Sequence, residues 1–453
     1  MSHAKQLHNQ RYFDDYMEII NRTGLPGNVK SEVCQHVHHA VIATVQRVIE
    51  QALEEELTTY LGCARYEHLP WGRGPEHTRS GSYRRELCTQ YGGIPDLRVP
   101  KLRRGNDALS WQTIERYERC WGPLLDQHVM GYCLGLSLRD LHESMHWTLG
   151  EVLSVSSCNR IVLGLEKQVE AFKTTPIEEP PPILLVDGMW VKIAYPTGDI
   201  VEDAQGRRRA AKRQQKRVVL SALGVWPDGH WEIVHWQIAA GEHKAAWEAL
   251  CKELHAKGMT ANTTKLVVSD GAQGLENALG DHFPGVPHQR CIFHKIKNIA
   301  DHLVFDDLKI DGAVDDAKAV RKAKQTRKKA ILADAGQMYA WDMESDIRAQ
   351  AAVFRAKWEG REPEAVANFF TDFDKTLSYI QVDFPTPLAS LIRTTNLLER
   401  WHKEVRRKQH DIGMFQSERG CEVVWYLISR RESAKQQAAL RNPSCYCSGT
   451  PGR

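Results

Sequence analysis

The sequence has almost no net charge and no long hydrophobic run. Its 453 residues include 60 Lys and Arg against 57 Asp and Glu, so the formal net charge of +3 does not by itself indicate a nucleic-acid partner. No apolar stretch approaches the length needed to cross a bilayer, and the first ten residues, MSHAKQLHNQ, contain no hydrophobic signal core. These absences predict a soluble, cytoplasmic protein without a membrane partner.

Cysteine is present but has no regular spacing. The 11 cysteines are scattered along a chain far longer than disulfide-stapled scaffolds, which predicts free thiols in a reducing compartment. Positive charge, in contrast, is concentrated in three runs, Arg207–Arg217, Arg321–Lys329 and Lys403–Lys408. Each run is compatible with a solvated surface, and the three together favour a phosphate-rich partner.

The N-terminal region predicts a long helix followed by a small hairpin. Residues 33–62 carry apolar residues three and four apart and end at a glycine, as an amphipathic helix does. Short alternating segments at residues 84–105 predict a hairpin with basic outer faces. We expect residues 1–107 to form an N-terminal helical and β-hairpin region, and its basic faces make DNA the expected partner.

Residues 108–175 have the spacing of a helix-turn-helix domain. Ser137 and Asp140 predict a capping box at the start of one helix, and Gly150 predicts the turn that follows it. Two packed helices joined by a glycine turn are also common in proteins that bind no DNA. The structural alternative therefore stays open.

The second helix of this pair is the candidate recognition helix. It is expected to begin near Ser154 and to continue toward Phe172. Asn159 and Arg160 would then lie close to its start, where a recognition helix contacts base edges and phosphates. These two residues are the predicted DNA contacts of the domain.

A strand-rich region follows the proline-rich linker Thr174–Ile183. ILLVDGMWVKI predicts a buried strand, a basic loop comes next, and a PDG turn joins two further strands. An amphipathic helix, the short strand KLVVSDG and the helix AQGLENALGDHF complete the order strand–strand–strand–helix–strand–helix. This order predicts a mixed sheet with helices packed on it, an α/β architecture.

Two of these strands end on a carboxylate. Asp187 ends ILLVDG and Asp270 ends LVVSDG, and a glycine follows each one, which allows a ligand to come close. A single Asp in such a position is usually a turn former or a helix cap. Two on separate strands of one sheet favour a pair of carboxylates that share Mg²⁺, because this ion takes oxygen ligands and commonly only one or two carboxylates.

A third acid is expected from the segment RTTNLLERWHKEVRRK. Glu399 and Glu404 are both candidates. Asn396, Glu399 and Arg406 share one helical face, which could place Arg406 against a phosphate backbone. The alternative is that Glu399 forms an ordinary surface pair with Lys403.

Cys291 and His294 form a Cys-x-x-His within HQRCIFH. They could be half of a structural zinc site if Cys445 and Cys447 supplied the other ligands. The other interpretation is that Cys291 is buried and that His294 lies close to the acids, where its charge tunes the site, or touches DNA.

The motifs LLVDG, SDGAQGLENALGDHFPGVPHQRCIFHKIKNI and RTTNLLERWHKEVRRK, in this order, resemble the Mutator-like transposases of bacterial insertion sequences, a branch of the DDE recombinases. LEEELTTYLG and GLSLRDLHE upstream are similar to the N-terminal region of the same family, so the resemblance covers about residues 50–430. The loop that contains RRRAAKRQQKR is longer than usual in the family, and the tail NPSCYCSGTPGR matches none of its motifs.

The resemblance implies a ribonuclease H-like mixed-sheet core with an all-helical insertion. Residues 176–300 would form the first part of the core and residues 301–389 the insertion. Residues 390–435 would return to the core with the catalytic glutamate, and residues 436–453 would be a C-terminal tail.

The resemblance also implies the chemistry. Asp187, Asp270 and Glu399 would be catalytic and would bind two Mg²⁺ ions, with Mn²⁺ as a possible substitute. The site would carry out in-line phosphoryl transfer that cuts transposon ends and joins them to target DNA. No covalent protein–DNA intermediate would be needed.

Partners and surrounding residues follow from the same assignment. The residues expected near the active site are Cys291, His294 and Asn396. The residues expected to contact DNA are Arg290, Arg406, Arg407, Asn159 and Arg160. Double-stranded DNA, as terminal inverted repeats and as target, would be the partner of a homodimer associated with the bacterial nucleoid.

Two alternatives remain at this point. The first is a ribonuclease H-like nuclease that cuts strands without joining them, and the second is a catalytically inactive DNA-binding regulator. The possible helix-turn-helix favours recognition of specific ends and hence transposition. The presence of all three acids argues against an inactive fold.

Overall fold

The computed structural model describes residues 28–67, 77–103, 109–115, 118–149, 154–202, 206, 208–306, 316–385 and 388–441. The chain divides into two compact units, Met1–Ile161 and Val162–Arg453. The finer domain boundaries expected from the sequence stay predictions. Among the described residues, no helix is both long enough and apolar enough to span a membrane.

The first unit contains the predicted long helix and hairpin. Its elements, in chain order, are α1 (Asn28–Leu61), β1 (Arg79–Thr89), β2 (Gly92–Leu102), α2 (Gly122–Leu134), α3 (Leu138–Leu149) and α4 (Val155–Leu163), the last of which crosses the division. Helix α1 and the antiparallel hairpin β1–β2 share a core, in which Ile49 and Leu53 pack with Leu87, Ile94 and Leu97. The apolar stripe of α1 therefore needs the hairpin to cover it.

The capping box at the start of α3 is confirmed. The Ser137 amide donates to Asp140 Oδ2 over 2.9 Å, and the Asp140 amide donates to Ser137 Oγ over 3.2 Å. Each side chain thus satisfies a backbone donor that the helix leaves unpaired. The predicted turn at Gly150 lies outside the described residues.

The predicted continuation of the next helix to Phe172 is wrong. Helix α4 ends at Leu163, and a separate helix, α5, runs from Glu166 to Thr174. Gly164 stands at the break, where its low helix propensity favours a turn. Apolar spacing alone cannot show such an interruption, because both helices continue the same periodicity.

The second unit is built on a five-stranded mixed sheet in the order β5–β4–β3–β6–β7. Its strands are β3 (Ile183–Glu202), β4 (Arg208–Val225), β5 (Trp231–Ala239), β6 (Leu266–Ser269) and β7 (His288–Arg290). The first three are antiparallel neighbours, whereas β6 runs parallel to β3 and β7 parallel to β6. The predicted α/β architecture with a mixed sheet is confirmed.

Helices cover both faces of this sheet. On one face lie α6 (Lys244–Ala256) and α7 (Gln273–His282), whose Trp247 and Leu275 share a core with Leu220. On the other lie α13 (Asn396–Ile412) and α14 (Glu418–Arg441), where Trp425 donates to Ser221 Oγ over 3.2 Å.

The remaining helices lie between α7 and α13 in the chain. They are α8 (Ile292–Ile299), α9 (Asp316–Gln337), α10 (Glu344–Trp358), α11 (Pro363–Phe370) and α12 (Ala389–Ile392), with short 3-10 turns between them. Within the described part of residues 301–389 there is no strand, as the insertion hypothesis expects. Aromatic rings in tilted contact, among them Phe354, Phe369 and Phe373, form part of its core.

The basic stretch that follows the first strand of the sheet is a strand and not the predicted loop. Residues from Arg208 onward pair with β3 out to Glu202, so that β3 has 20 residues and β4 has 18. Backbone ladder bonds hold this extension without an apolar face. A pattern search for alternating apolar residues therefore misses it.

Candidate active site

Asp187 and Asp270 lie side by side at one level of the sheet. Leu185 of β3 stands opposite Val268 of β6, and each Asp follows its strand partner by two residues. Neighbouring strands lie about 4.8 Å apart, so the two carboxylates share one end of the β3–β6 pair. Burial, together with the negative charge of Asp187, raises the pKa of Asp270.

Backbone amides orient both carboxylates. The Gly188 amide donates to Asp187 Oδ1 over 2.8 Å, and the Ala272 amide donates to Asp270 Oδ1 over 3.1 Å. Each bond leaves one carboxylate oxygen free of that backbone contact. The glycine after Asp270 has a φ of +83°, a conformation that side-chain-bearing residues rarely adopt.

A further acid, Glu242, belongs to the same cluster and was not singled out from the sequence. It follows β5, and its Oε1 would lie 2.9 Å from a Cβ built on Gly188, so it packs directly against the glycine after Asp187. Burial and the negative charges of Asp270 and Asp187 raise the pKa of Glu242.

The signal for Glu242 is in the pairing of the meander. Ala239 at the end of β5 stands opposite Val218 of β4, which stands opposite Trp190 of β3. The end of β5 therefore returns to the level of the first Asp. An acid two or three residues beyond that point is a candidate for the site once the register is known.

Glu399 lies in the first turn of α13. Its Oε1 is 3.5 Å from Nε2 of His294 and accepts a long hydrogen bond of 3.4 Å from the Thr395 hydroxyl. Asn396, in the same turn, is exposed. The structure thus joins Glu399 to the Cys-x-x-His segment of α8 and not to Lys403.

His294 links Glu399 with the two aspartates. The adjacent Cys291 sulfur and the charges of Glu399 and Asp187 raise the pKa of His294 to about 9, against the opposing effect of burial. Its positive charge in turn lowers the pKa of Asp270 in part. His294 thus lies beside the acids, as one of the two interpretations of the Cys-x-x-His expects.

Cys291 is fully buried just before α8. Its sulfur accepts hydrogen bonds of 3.4 Å from both the amide and the hydroxyl of Thr395. Burial by itself would raise the pKa of the Cys291 thiol, but His294 and Thr395 outweigh it and the pKa is lowered. The further zinc ligands that this segment would need, Cys445 and Cys447, lie outside the described residues.

His402 is a second residue of the site that the sequence did not indicate. It is completely buried, and its Nδ1 lies 3.4 Å from Asp187 Oδ2. It stands one helical turn after Glu399, so α13 approaches the carboxylates with two side chains. The spacing of three residues on the inner face of the helix is the signal that identifies it.

The donor set fits a hard divalent cation in part. Asp187 and Asp270 are neighbouring carboxylates whose mutual repulsion a cation would offset, and Mg²⁺ is commonly held by only one or two carboxylates together with waters. In the part of the chain that the structure describes, no three His, Cys, Asp or Glu side chains are close enough together to hold a metal ion. Glu399 instead faces His294.

Arg290 does not lie on an open surface. Its side chain is 16% exposed, its Nη1 is 3.1 Å from Asp372 Oδ2, and its guanidinium lies against Gly271 beside Asp270. The positive charge of Arg290 lowers the pKa of Asp270 in part. Its ion pair with Asp372 and its contact with Gly271 hold the guanidinium beside Asp270.

The other predicted DNA contacts are exposed. Arg406 and Arg407 project from α13, and Arg407 Nη2 lies 3.0 Å from Glu404 Oε2. Glu404, the alternative third acid, is also 2.5 Å from Arg431 of α14 and is thus held in ion pairs away from the aspartates.

The predicted recognition residues lie in the first unit. Asn159 and Arg160 are both exposed on α4, and Arg160 donates to Ser157 Oγ over 3.1 Å. Their assignment as DNA contacts stays a prediction.

Residues 28–310 and 316–437 match the sequence family described as Transposase, Mutator family. The chain belongs to this family. The resemblance inferred from the three acid-bearing motifs is therefore confirmed.

Transposases of bacterial insertion sequences are similar to most of the chain. The transposase for insertion sequence element ISRM5 of Rhizobium meliloti is 28% identical over 377 residues, which are 83% of each chain. The transposase for insertion sequence element IS256 in transposon Tn4001 of Staphylococcus aureus is 25% identical over 394 residues, 86% of this chain and 87% of that one. A solved strand transfer complex of the Drosophila P element transposase aligns with 71% of this chain and 81% of its own at 13% identity, but its TM-score of 0.28 supports no structural argument.

Proposed function

We propose that the chain is a DDE transposase that binds the terminal inverted repeats of its element and catalyses Mg²⁺-dependent strand cleavage and strand transfer. The observation that carries this proposal is the placement of Asp187 and Asp270 at one level of neighbouring strands, with Glu399 joined to them through His294. Membership of the Mutator family supports transposition as the overall reaction.

The sheet supports a ribonuclease H-like core. Three antiparallel strands precede two parallel ones, and the first and fourth strands in chain order lie side by side with their acids. The third acid comes from α13, which packs on the same face of the sheet as α14. On that face, His402 of α13 lies close to Asp187 and Trp425 of α14 donates to Ser221. The helical insertion separates the second acid from the third.

The carboxylates of Asp187 and Asp270 would hold the metal, and Glu399 would complete the set. Bound Mg²⁺ or Mn²⁺, as a pair of ions, would supply an activated water or DNA 3′-hydroxyl and would stabilise the leaving oxygen of an in-line displacement at phosphorus. The three carboxylates are partly buried, and the lower local dielectric strengthens their interaction with a cation.

The protein groups around the acids have positioning roles. Gly188 and Ala272 fix one oxygen of each aspartate through their amides. His294 and Arg290 place positive charge near Asp270 and so reduce the repulsion between the acids before metal binds, and buried His402 packs against Asp187.

Double-stranded DNA is the proposed partner. Exposed Arg406 and Arg407 on the helix that carries Glu399 would contact phosphates next to the site, and Asn159 and Arg160 would read the ends. Arg290 is reassigned to the support of Asp270. Because a transposase acts on two ends, we propose a homodimer on DNA.

An assay of cleavage and joining tests the proposal. The full-length protein is incubated with a labelled duplex that carries an end of its element, a supercoiled target plasmid, and Mg²⁺ or EDTA. We expect nicked ends and joined products with Mg²⁺ and neither with EDTA. Nicking without joining would favour the nuclease alternative, and end binding with neither product would favour the inactive regulator.

A further inference from the structure

The β3–β4 extension leaves the five-stranded sheet as a two-stranded ribbon. We define the arm as residues 191–202 of β3 and 208–217 of β4. Strand β6 pairs with β3 only up to Leu185, and β5 pairs with β4 only from Val218 onward. Beyond these points the two strands pair with each other over roughly ten residues each, a length of about 30 Å.

The arm buries almost nothing in its outer half. Every β3 residue from Pro196 to Glu202 is exposed, and so are Arg208, Arg209 and Arg213 on the opposing strand. Two large apolar side chains, Ile200 and Val201, are 66% and 42% exposed near the tip. An isolated two-stranded ribbon is only marginally stable in water, so a feature of this length calls for a binding partner.

The arm is strongly basic, and most of its positive charge lies on one strand, β4. It contains seven Lys and Arg against two acids, Asp199 and Glu202, whereas the whole chain has a net charge of only +3. Six of the seven cations are on β4, and they form two rows. One face carries Arg208, Lys212 and Lys216, and the other carries Arg209, Arg213 and Arg217.

These rows match the dimensions of duplex DNA. Successive cations in a row are four residues apart, about 13 Å along the strand. The major groove is about 12 Å wide and admits a two-stranded ribbon, and phosphates line both of its walls. A ribbon with cations on both faces can therefore contact both walls at once.

The base of the arm is fixed to the active-site unit. The Ala194 amide donates to the Phe415 carbonyl over 2.9 Å, and the Phe415 amide donates to the Lys192 carbonyl over 3.0 Å. Arg217 Nε donates to the Tyr195 hydroxyl over 3.1 Å, and that hydroxyl is hydrogen-bonded to Glu418. These bonds fix the direction in which the arm extends from the sheet.

Strand β3 carries the first acid, Asp187, and continues directly into the arm. Val191, where the arm begins, follows Asp187 by only four residues on one continuous strand, a distance of about 13 Å. The segment Gly413–Ser417, which braces the arm through Phe415, follows the helix that carries Glu399. DNA held by the arm would therefore have a set position relative to the acids.

We propose that the arm is a DNA-binding ribbon that lies in the major groove of the duplex and contacts its phosphates through Arg208, Arg209 and Arg213. This inference rests on the proposed function for its choice of partner. An acidic protein surface is the other polyanion that the charge alone would accept, and the experiment below separates the two.

The test is the salt dependence of duplex binding by the full-length protein. Fluorescence anisotropy with a labelled 30-base-pair duplex, in EDTA to prevent cleavage, compares the wild type with the triple variant Arg208→Gln, Arg209→Gln, Arg213→Gln. Each lost phosphate contact reduces the slope of log affinity against log salt by about 0.9, so we expect a reduction of about 2 to 3 and binding at least about tenfold weaker near 150 mM salt. The matched control, Lys252→Gln, Lys265→Gln, Arg361→Gln, neutralises three exposed cations on other elements and is expected to keep the wild-type slope.

Trypsin provides a second readout, because its sites in the arm are exposed. Saturating duplex is expected to protect the bonds after Arg208, Arg209 and Arg213, while polyglutamate of equal charge is not. Equal salt slopes for the wild type and the arm variant would overturn the inference, and so would an arm that trypsin cuts equally fast with and without duplex. Protection by polyglutamate alone would indicate that the arm binds an acidic protein.

The arm and the proposed function can fail separately. A wild-type protein that binds duplex through the arm but never cleaves it would overturn the transposase chemistry and leave the arm intact. Normal cleavage with unchanged salt slopes in the arm variant would overturn the arm alone.

Discussion

At the residue scale, the site contains more carboxylates than cationic side chains, and a few polar neighbours contact these carboxylates. Burial and the charge of Asp187 raise the pKa of Asp270, and burial with the charges of Asp270 and Asp187 raises the pKa of Glu242. His294 offsets part of this excess from the side of Glu399. A divalent cation bound between these carboxylates would relieve their mutual repulsion.

Glu242 is predicted to increase the affinity of the site for Mg²⁺. Glu242→Gln removes one charge beside the aspartates, so we expect half-maximal cleavage to require about tenfold more Mg²⁺. A tenfold change in cation affinity corresponds to roughly 1.4 kcal/mol of binding free energy. A Mg²⁺ titration of the cleavage rate measures it. Glu253→Gln, an exposed acid on α6, is the control and is expected to keep the wild-type midpoint. An unchanged midpoint in Glu242→Gln would remove this acid from the site.

The sequence allowed some of these residues to be predicted and not others. Asp187, Asp270 and Glu399 stand in recognisable motifs. Glu242 and His402 come close to Asp187 only through strand pairing and helix packing. Arg290 pairs with Asp372, which lies 82 positions further along the chain, and no local pattern reports such a pair.

At the scale of elements, the packing of α7 against the segment after Glu242 supports the site. A Cβ added to Gly274, in the first turn of α7, would lie 2.8 Å from the Glu242 carbonyl oxygen and 3.2 Å from the Lys244 nitrogen. These are backbone atoms that cannot move aside by rotation of a side chain. The helix carrying Gly274 therefore sets the path of the chain at Glu242.

Gly274→Ala is expected to lower the free energy of unfolding by about 1–3 kcal/mol, the usual cost of overpacking. Denaturant unfolding measures the change. Gly280→Ala on the same helix meets no atom within 4 Å and should instead be neutral or stabilising by up to about 1 kcal/mol, because alanine is the better helix former. A Gly274→Ala protein as stable as Gly280→Ala would show that α7 is not in firm contact with this segment.

His235 of β5 makes the sheet sensitive to acid. Burial, with the nearby Lys173 and Lys257, lowers the pKa of His235 to about 3. The unfolded chain binds the proton near pH 6.5, so the folded state loses stability as pH falls from 6.5 toward 3, by at most about 1.4 kcal/mol per pH unit.

The variant His235→Gln tests this linkage. Its free energy of unfolding should fall less steeply between pH 6.5 and 4 than that of the wild type, while the two curves should run parallel above pH 7. Chemical unfolding at a series of pH values measures both slopes, with the exposed His243→Gln as a control. Parallel curves across the acidic range would contradict the linkage.

Elements differed in how well sequence patterns predicted them. The meander and the capping box have local signals in their turn residues and side-chain spacing, and both are found. The basic arm was expected to be a loop, because its strand carries charges and no apolar alternation. The break at Gly164 was missed because the helices on either side continue one periodicity.

At the scale of the whole molecule, the sheet unit brings together three segments that lie far apart in the chain. The strand that carries Asp187 continues into the arm, the strand that ends at Asp270 lies beside it, and the helix of Glu399 returns after an insertion. Membership of the Mutator family is consistent with one reaction centre built from these segments. The central claim is that their carboxylates carry out the strand cleavage.

The most direct measurement of that claim is the cleavage rate of a labelled terminal-repeat duplex in Mg²⁺ by the wild type, Asp187→Asn, Asp270→Asn and the control Asp281→Asn. Asp281 is an exposed acid on α7, paired with Lys244, and its variant should cleave at nearly the wild-type rate. The two site variants should lose roughly 10³-fold or more of the rate while still binding the duplex, as removal of a catalytic group does. Cleavage by Asp270→Asn at the wild-type rate would contradict the account and would place the chemistry elsewhere in the chain.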